Sequence, residues 1–307
     1  MSVVEIKSIY KSYTKVQALS DINVEVGAGE LFGFIGPDGA GKTTLFRMLA
    51  TLLVPDSGTA TVLGYDVVKD YKQIRPQLGY MPGRFSLYQD LSVEENLSFF
   101  ASVFGTTIEE NYDLIEPIYN QLEPFKTRLA GNLSGGMKQK LALSCALIHK
   151  PTLLLLDEPT TGVDAVSRKE FWEMLADLKK QNITIIVSTP YMDEAKLCDR
   201  VALIQDGETL QIDTPANIVA TFSKPLYAVK SSQTYNLLLA IKSFEHTHSI
   251  QPFGESLHYT DLRDKPDLDA LKTYLANQGI DDVEIKSITP NIEDSFMALM
   301  QSEVVNE

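Results

Sequence analysis

Cysteine is scarce in this sequence of 307 residues. The chain has two, Cys145 and Cys198, and neither belongs to a CxxC pair. Because structural zinc sites and redox dithiols need cysteines at short regular spacing, we predict two reduced thiols, buried or partly buried in helix-like segments. A continuous apolar run of roughly 20 residues, the length that a membrane-spanning helix needs, is also missing. The segment MSVVEIKSIYKSY lacks the apolar stretch and cleavage site of a signal peptide. We therefore expect a cytoplasmic protein without a membrane span of its own.

Basic residues are also comparatively few. Lys and Arg number 27 against 41 Asp and Glu, which gives a formal net charge of −14. Nucleic acids and anionic lipid surfaces are usually bound through positive surfaces, so this charge argues against a nucleic-acid partner and against direct docking on anionic lipid. The hydrophobic share of 44% and the charged share of 22% are ordinary for a globular protein. The length suits one large or two ordinary domains.

The first two thirds of the chain alternate strand and helix patterns. Three short apolar runs, Leu31–Gly36, Leu153–Pro159 and Ile183–Thr189, are typical of buried strands, and helical patterns lie between them. Strand, helix and strand in this order predict an α/β fold with a parallel sheet and right-handed crossovers.

The last third has a different pattern. Strand-like and helix-like segments follow one another in the order βαββαβ, which predicts a small ferredoxin-like α+β domain, and a final helix covers residues 291–301. We place the boundary near Phe222–Pro225, which gives domains at residues 1–222 and 223–307. This second domain shows no catalytic constellation, and its role could be dimerisation, ligand sensing or capping of the first domain.

A glycine-rich loop follows the first apolar run. It fits the pattern GxxxxGK[ST] between a strand and a helix, which predicts a phosphate-binding loop for ATP. Lys42 should reach the β- and γ-phosphates, and the Thr43 hydroxyl should be a ligand of Mg²⁺. The predicted nucleotide-binding residues here are Gly36, Pro37, Asp38, Gly39, Ala40, Gly41, Lys42, Thr43 and Thr44.

Two acids end the second apolar run. A buried, unpaired carboxylate is costly, so Asp157 is predicted to be a Mg²⁺ ligand together with Thr43. Glu158 follows it and is placed to polarise an attacking water as the general base. The alternative is that Asp157 and Glu158 only cap the next helix.

The segment Leu133–Gln139, LSGGMKQ, resembles the LSGGQ signature of ABC ATPases, with Met137 where glutamine is usual. Its place between the phosphate loop and LLLLDEP strengthens the resemblance, as does a D-loop-like segment at residues 161–164. The resemblance covers residues 3–215 and is closest to the ATPases of drug-resistance exporters. It implies a P-loop NTPase of the ABC ATPase type: a RecA-like core, an antiparallel β subdomain, and a helical subdomain at about residues 85–132.

The same resemblance implies partners and further binding residues. Two ATPase domains would pack head to tail, so that Ser134, Gly135 and Gly136 act on the partner's ATP. Tyr13, with Val16 beyond it, is similar to the aromatic residue that stacks on adenine, although Tyr13 could instead be a half-buried strand residue. Separate integral membrane permease subunits would hold the protein at the inner face of the cell membrane. The expected permease contact is the patch Phe85, Leu87, Tyr88 and Leu91, near Arg84, although each of these residues could instead pack in the core of the helical subdomain.

Two positions depart from the family pattern. Gly83 stands where the Q-loop glutamine is usual, and Pro190 stands where the switch histidine is usual. None of the four histidines is an obvious substitute, and His149 is expected to be a surface cap at a helix end. We therefore predict a site that binds ATP well and hydrolyses it slowly. Its preferred partner is a different, more competent ATPase domain, and a homodimer of this chain is the alternative. The alternatives are a regulatory ATP-binding module and a soluble ABC ATPase that is not linked to transport.

Overall fold

A computed structural model describes the backbone of residues 2–304 and the side chains of residues 2–301. The strands are β1 Ser2–Tyr13, β2 Val16–Gly27, β3 Leu31–Ile35, β4 Ser57–Val62, β5 Tyr65–Asp66, β6 Leu78–Met81, β7 Leu153–Asp157, β8 Thr184–Thr189, β9 Arg200–Gln205, β10 Glu208–Asp213, β11 Leu226–Lys230, β12 Thr247–Phe253, β13 Ser256–Asp261 and β14 Glu284–Ile288. The α-helices are α1 Lys42–Leu49, α2 Tyr71–Ile74, α3 Val93–Val103, α4 Tyr112–Tyr119, α5 Gly135–Leu147, α6 Ala165–Lys180, α7 Pro215–Ala220, α8 Thr234–Lys242, α9 Leu268–Asn277 and α10 Ile292–Val304.

The chain divides into two compact units, Met1–Pro215 and Ala216–Glu307. This division lies between residues 215 and 216, whereas the sequence pattern places a boundary between residues 222 and 223. Among the described residues, no helix has both the length and the apolarity that crossing a membrane requires.

A six-stranded sheet forms the centre of the first unit, in the order β10-β9-β3-β8-β7-β6. The five strands from β9 to β6 run parallel, and β10 pairs antiparallel with β9 at one edge. Every residue of β3, β7 and β8 is buried, as the continuous apolar runs predict for strands covered on both faces. The carboxyl ends of parallel strands meet at one edge of a sheet, so the loops after β3, β7 and β8 lie side by side.

A second, antiparallel sheet in this unit has the order β2-β1-β4-β5. Its apolar face shares one hydrophobic core with α1 and the central sheet, through residues such as Ile9, Leu19 and Phe46. The region at residues 85–132 contains α3, α4 and three short 3₁₀ turns. α3 begins with a capping box, in which Ser92 and Glu95 each bond the other's backbone amide.

The Ala216–Glu307 unit has the βαββαβ order that the sequence predicts. Its antiparallel sheet has the order β12-β13-β11-β14, which is the ferredoxin-like arrangement. α8 and α9 pack on one face of this sheet around Leu237, Tyr259 and Leu271. Across the molecule, both cysteines are free and buried, and burial raises the pKa of each thiol.

Candidate nucleotide-binding site

The phosphate loop joins β3 to α1, and its glycines sit where side chains would not fit. A Cβ on Gly36 would lie 2.1 Å from the carbonyl oxygen of Ile204, and one on Gly41 would lie 2.4 Å from that of Ala18. Gly41 also has a φ of +99°, which L-residues with side chains rarely adopt. The loop is therefore held close to neighbouring backbone and leaves a concave turn at the amino end of α1, the setting that favours an anion.

Lys42 is almost wholly buried at this turn. Its Nζ donates to the carbonyl oxygens of Gly36 at 2.8 Å and Pro37 at 2.9 Å, and it lies 3.2 Å from Oε1 of Glu158. Burying an ammonium group is costly unless it is paired and hydrogen-bonded, and these three contacts offset that cost. All three acceptors lie on the loop or directly beside it. A bound phosphate would therefore compete with them for the positive charge of the Lys42 ammonium.

Asp157 is buried at the carboxyl end of β7. Its Oδ1 accepts hydrogen bonds from Oγ of Ser188 at 2.7 Å and from Oγ1 of Thr43 at 3.2 Å. The two oxygen groups predicted to hold Mg²⁺, on Asp157 and Thr43, are therefore in contact, and oxygen donors are what this ion prefers. The structure fits a Mg²⁺ that is completed by phosphate oxygens.

Glu158 begins the turn after β7 with a φ of +50°, an uncommon conformation outside glycine. Its backbone N–H donates to both the carbonyl oxygen and Oγ of Ser188, at 3.1 and 2.9 Å. These bonds hold the strained turn and direct the carboxylate toward Lys42. The alternative in which the two acids cap the next helix is wrong, because Asp164 caps α6 by accepting from Val166 N and Ser167 N.

Gly83, in the loop after β6, faces Asp157. A Cβ built on it would lie 3.1 Å from the carbonyl oxygen of Asp157 and 3.6 Å from its Oδ2. Position 83 therefore borders the predicted metal ligand and supplies no side chain to it. Tyr80 precedes this loop, and burial together with the nearby Asp157 raises the pKa of its phenol to about 12, so it stays protonated.

Pro190 follows β8 and is next to the phosphate loop. The residue before it, Thr189, pairs with Ile35, and its carbonyl oxygen accepts from Gly36 N at 3.3 Å. Position 190 therefore stands beside the first glycine of the loop. Proline offers neither an N–H nor a polar side chain at this point.

Tyr13 and Val16 pair across the end of the β1–β2 hairpin, and their exposed fractions are 42% and 64%. Tyr13 is the last residue of β1 and is less than half exposed, so the alternative that it is a half-buried strand residue stays open. The residue of this hairpin that lies against Gly41 of the phosphate loop is Ala18, further along β2. Stacking of Tyr13 on adenine stays a prediction.

Ser134 caps the amino end of α5, accepting from Met137 N at 3.3 Å. A Cβ on Gly136 would lie 2.6 Å from Oγ of Ser167, and one on Gly135 would lie 3.5 Å from the carbonyl oxygen of Gly162. These neighbours belong to the D-loop-like turn and α6, not to the phosphate loop. Ser134 and Gly135 remain exposed, available to another molecule.

A family model described as "ABC transporter" matches residues 19–161, which include the phosphate loop, the SGG segment and both acids. The Nod factor export ATP-binding protein I of Mesorhizobium japonicum is 33% identical over 98% of this chain and 87% of its own length. The linearmycin resistance ATP-binding protein LnrL of Bacillus subtilis is 30% identical over 97% of this chain and 98% of its own length. This chain belongs to the ABC transporter ATP-binding proteins.

Another relative, the probable multidrug ABC transporter ATP-binding protein YbhF of Escherichia coli (strain K12), is 39% identical over 92% of this chain. The chain spans about half of that relative, 49% of its length. Among solved structures, an "ATP binding subunit of ABC transporter" aligns with a TM-score of 0.65 at 28% identity, over 72% of this chain and 93% of that chain. A dimeric ATP-binding cassette bound to ADP and Pi aligns at 0.62 and 24% identity, over 69% of this chain and 98% of that chain, and shows the fold alone.

These comparisons confirm the predicted fold class and family. At the level of the family, they identify the chain as an ABC transporter ATP-binding protein. For this ABC ATP-binding chain, the phosphate loop, Asp157, Glu158 and Gly83 come together in one site. The SGG segment lies elsewhere on the unit.

Sequence reasoning missed a second polar cluster beside the site. The buried Glu194 accepts hydrogen bonds from Thr160 at 2.9 Å and from Thr189 at 2.5 Å, and Nε of Arg168 lies 3.8 Å from its Oε1. The cluster thus ties the turn after β7 to the end of β8. Ser188, which contacts both site acids, was missed as well. For Ser188 and Thr189, the available signal was that two polar residues end an otherwise apolar strand; the contact between Glu194 and Thr160 had no such signal.

One expectation near the site is wrong. His149 is half-buried rather than a surface cap, and its ring stacks on Phe104 with centroids 3.7 Å apart. Its Nε2 lies 3.2 Å from the carbonyl oxygen of Leu78, and burial lowers its pKa. The aromatic partner, 45 positions earlier in the chain, could not be seen from the helix-end pattern around Pro151.

Proposed function

We propose that this chain is the ATP-binding subunit of an exporter, which binds Mg–ATP and couples ATP binding and hydrolysis to a separate membrane permease. The observation that carries the proposal is the convergence of Lys42, Thr43, Asp157 and Glu158 around the phosphate loop. The names of the relatives, which include multidrug and Nod factor export proteins, support transport out of the cell.

Each residue of the site has its own role in the proposed binding and hydrolysis of ATP. Lys42 leaves the carbonyl groups of Gly36 and Pro37 to contact the β- and γ-phosphates. Thr43 and Asp157 would hold Mg²⁺, which when bound neutralises charge on the phosphate oxygens. Glu158, freed from Lys42 by the incoming phosphate, accepts a proton from the attacking water. Tyr13 and Val16 would contact the adenine.

Hydrolysis at this site is proposed to be slow. Position 83 borders Asp157 without a side chain, and position 190 borders Gly36 without a polar group. Loss of one preorganised transition-state contact typically lowers kcat by about 10²–10³-fold. ATP affinity depends on Lys42 and the loop, so it should be affected less than turnover.

A different ATPase domain is the proposed partner. The exposed Ser134 and Gly135, with Gly136, would complete the partner's ATP site, while the partner's signature completes the site described here. A partner with an intact Q-loop glutamine and switch histidine would supply the fast site of the pair. The same substitutions also favour a second candidate, a regulatory module that binds ATP without appreciable turnover.

The permease contact is proposed to be a groove next to the helical region. This groove, of about 440 Å³, is lined by Arg84, Phe85 and Leu87 of the predicted patch and by Phe100, Phe104 and His149. Tyr88 and Leu91 do not line it. Its apolar wall and rim arginine suit one short amphipathic helix of a permease.

The proposal is tested first at ATP binding. Lys42→Ala should weaken ATP affinity at least about tenfold, as expected for loss of a charge-assisted contact. Lys169→Ala, which removes an exposed lysine of α6, is the matched control and should bind like the natural chain. Equal ATP affinity in all three proteins, measured by calorimetry with Mg²⁺, would refute nucleotide binding at this loop.

A further inference from the structure

Glu194 is a buried acid that has no part in the roles proposed above for the nucleotide site. It lies in a short 3₁₀ segment, Met192–Leu197, that follows β8, and only 2% of its surface is exposed. Burying a carboxylate is costly unless the group is paired and hydrogen-bonded. The contacts of its two oxygens therefore indicate what this carboxylate does.

The two oxygens of Glu194 bond the hydroxyl groups of two threonines. Oγ1 of Thr160 donates to Oε1 at 2.9 Å and lies 3.1 Å from Oε2, and Oγ1 of Thr189 donates to Oε2 at 2.5 Å. Both threonines are at most 1% exposed, so these bonds are shielded from water. The carboxylate thus joins the turn after β7 to the last residue of β8.

Thr160 lies two residues after Glu158, in the turn that carries the proposed general base. Ser188 anchors the start of this turn through its two contacts with Glu158 N. Thr161 N then donates to the carbonyl oxygen of Glu158 at 3.2 Å, which closes the turn on itself. The bond from Thr160 to Glu194 is a second anchor. Because Glu158 has a φ of +50°, we expect its conformation to depend on such contacts.

The other threonine directly precedes Pro190. Oγ1 of Thr189 also accepts from Tyr191 N at 3.1 Å, and Glu194 N donates to the carbonyl oxygen of Tyr191 at 3.1 Å. Arg168 of α6 brings the opposite charge, with its Nε 3.8 Å from Oε1 of Glu194 and its guanidinium 4.4 Å from the centre of the Tyr191 ring. Glu194 itself is therefore fixed by its backbone and by both of its oxygens.

We propose that Glu194 is a positioning residue for ATP hydrolysis: by holding Thr160, it fixes the turn that directs the Glu158 carboxylate to the attacking water. This role rests on the ATPase function proposed above. A general base must lie within hydrogen-bond reach of the proton that it accepts. A displacement of about 1 Å can lower the rate about 10²-fold. ATP affinity depends on Lys42 and the phosphate loop, so loss of the Thr160 bond should slow hydrolysis and leave affinity unchanged.

A matched pair of variants at Thr160 tests this role in the full chain. Thr160→Val removes the hydroxyl at nearly constant volume, whereas Thr160→Ser keeps it. The rate constant of hydrolysis is measured in single turnovers with the protein in excess over Mg–ATP, and ATP affinity is measured by calorimetry. Thr160→Val should hydrolyse ATP at least about tenfold more slowly than Thr160→Ser, because the turn loses its second anchor. Both variants should bind ATP with the affinity of the natural chain.

A second pair, at position 194, keeps the test decisive if Thr160→Val does not fold. Glu194→Gln and Glu194→Met are both uncharged and similar in length. The amide can accept from one threonine and donate to the other, whereas the thioether is only a weak acceptor. Glu194→Gln should therefore retain most of the rate, and Glu194→Met should lose about tenfold or more at unchanged ATP affinity.

Glu158→Gln separates failure of this role from failure of the proposed function. If Glu158→Gln is slow while the members of each pair hydrolyse ATP at equal rates, Glu194 has no positioning role. A loss of rate matched by an equal loss of ATP affinity would also overturn the proposal, because the cluster would then support binding. Unchanged hydrolysis in Glu158→Gln would refute the proposed general base, and the role of Glu194 with it.

Discussion

At the scale of single residues, the two positions that are predicted to depart from the family pattern lie next to the predicted working groups of the site. Gly83 lies against Asp157, and Pro190 follows the residue that bonds Gly36. Gly83 supplies no side chain and Pro190 supplies no polar side chain at the edge of the site, whereas the loop, Lys42 and the acids are in place. This is the physical basis for separating ATP binding from ATP turnover.

Restoring the amide at position 83 should speed hydrolysis. The φ of Gly83 is not in the positive range that excludes side chains, and a Cβ there would point toward Asp157 with a close but single backbone contact at 3.1 Å. We expect Gly83→Gln to raise kcat by about tenfold or more. Gly83→Ala, which adds the Cβ without the amide, should not. Steady-state phosphate release measures both, and equal rates in the two variants would contradict a role for the missing amide.

A histidine at position 190 should also raise kcat. Pro190→His places an imidazole directly after Thr189, beside the first glycine of the phosphate loop. Because residues of one catalytic constellation are not additive, the gain should be larger in Gly83→Gln/Pro190→His than in either single variant. Pro190→Ala is the control for loss of the proline ring alone. A double variant no faster than its parents would count against this assignment.

Ser188 should matter for stability as well as for the site. It is fully buried, donates to Asp157 and accepts from Glu158 N. Ser188→Ala removes a hydrogen-bond donor from the buried Asp157 carboxylate, while Glu158 N keeps its bond to the Ser188 carbonyl oxygen. We therefore expect a loss of about 1–3 kcal/mol in the free energy of unfolding. Ser102→Ala, at an exposed serine of α3, should change it by less than about 0.5 kcal/mol. Urea denaturation of both variants decides whether the two serines differ.

At the scale of elements, the buried strands were the most predictable part. The runs at Leu153–Asp157 and Thr184–Thr189 were long, apolar and bounded, and they form neighbouring parallel strands. The βαββαβ order of the second unit followed from the same periodicity. Contacts between distant segments were not predictable: Glu194 meets Thr160 because two separate strand ends are adjacent in the sheet. No pattern along the chain marks such a contact.

The groove beside the helical region supplies an element-scale prediction. Arg84 lines it together with Phe85 and Leu87. Arg84→Glu should weaken co-purification with the permease while ATP affinity stays unchanged, because the substitution reverses a charge at the proposed docking surface. Lys169→Glu on α6 is the matched charge reversal outside the groove. Equal permease recovery with both variants would rule out this surface as the contact.

At the scale of the whole molecule, family membership could be predicted from the sequence, since the phosphate loop, the SGG segment and the acids keep the family's order. The boundary between the units was less predictable. The change of pattern near Phe222 and the division after Pro215 differ because α7, at Pro215–Ala220, has no strong periodic signal of its own. The sequence does not show that Gly83 lies beside Asp157, or that Pro190 follows the residue that bonds Gly36. These neighbours are seen only in the structure.

The most direct test of the central claim is the steady-state ATPase rate of the purified chain at saturating Mg–ATP, together with its ATP affinity. We predict measurable ATP binding that depends on Lys42, and a kcat at least about 10²-fold below that of the Gly83→Gln/Pro190→His variant. Vigorous turnover by the natural chain alone, abolished by Glu158→Gln and not increased by the double variant, would contradict it.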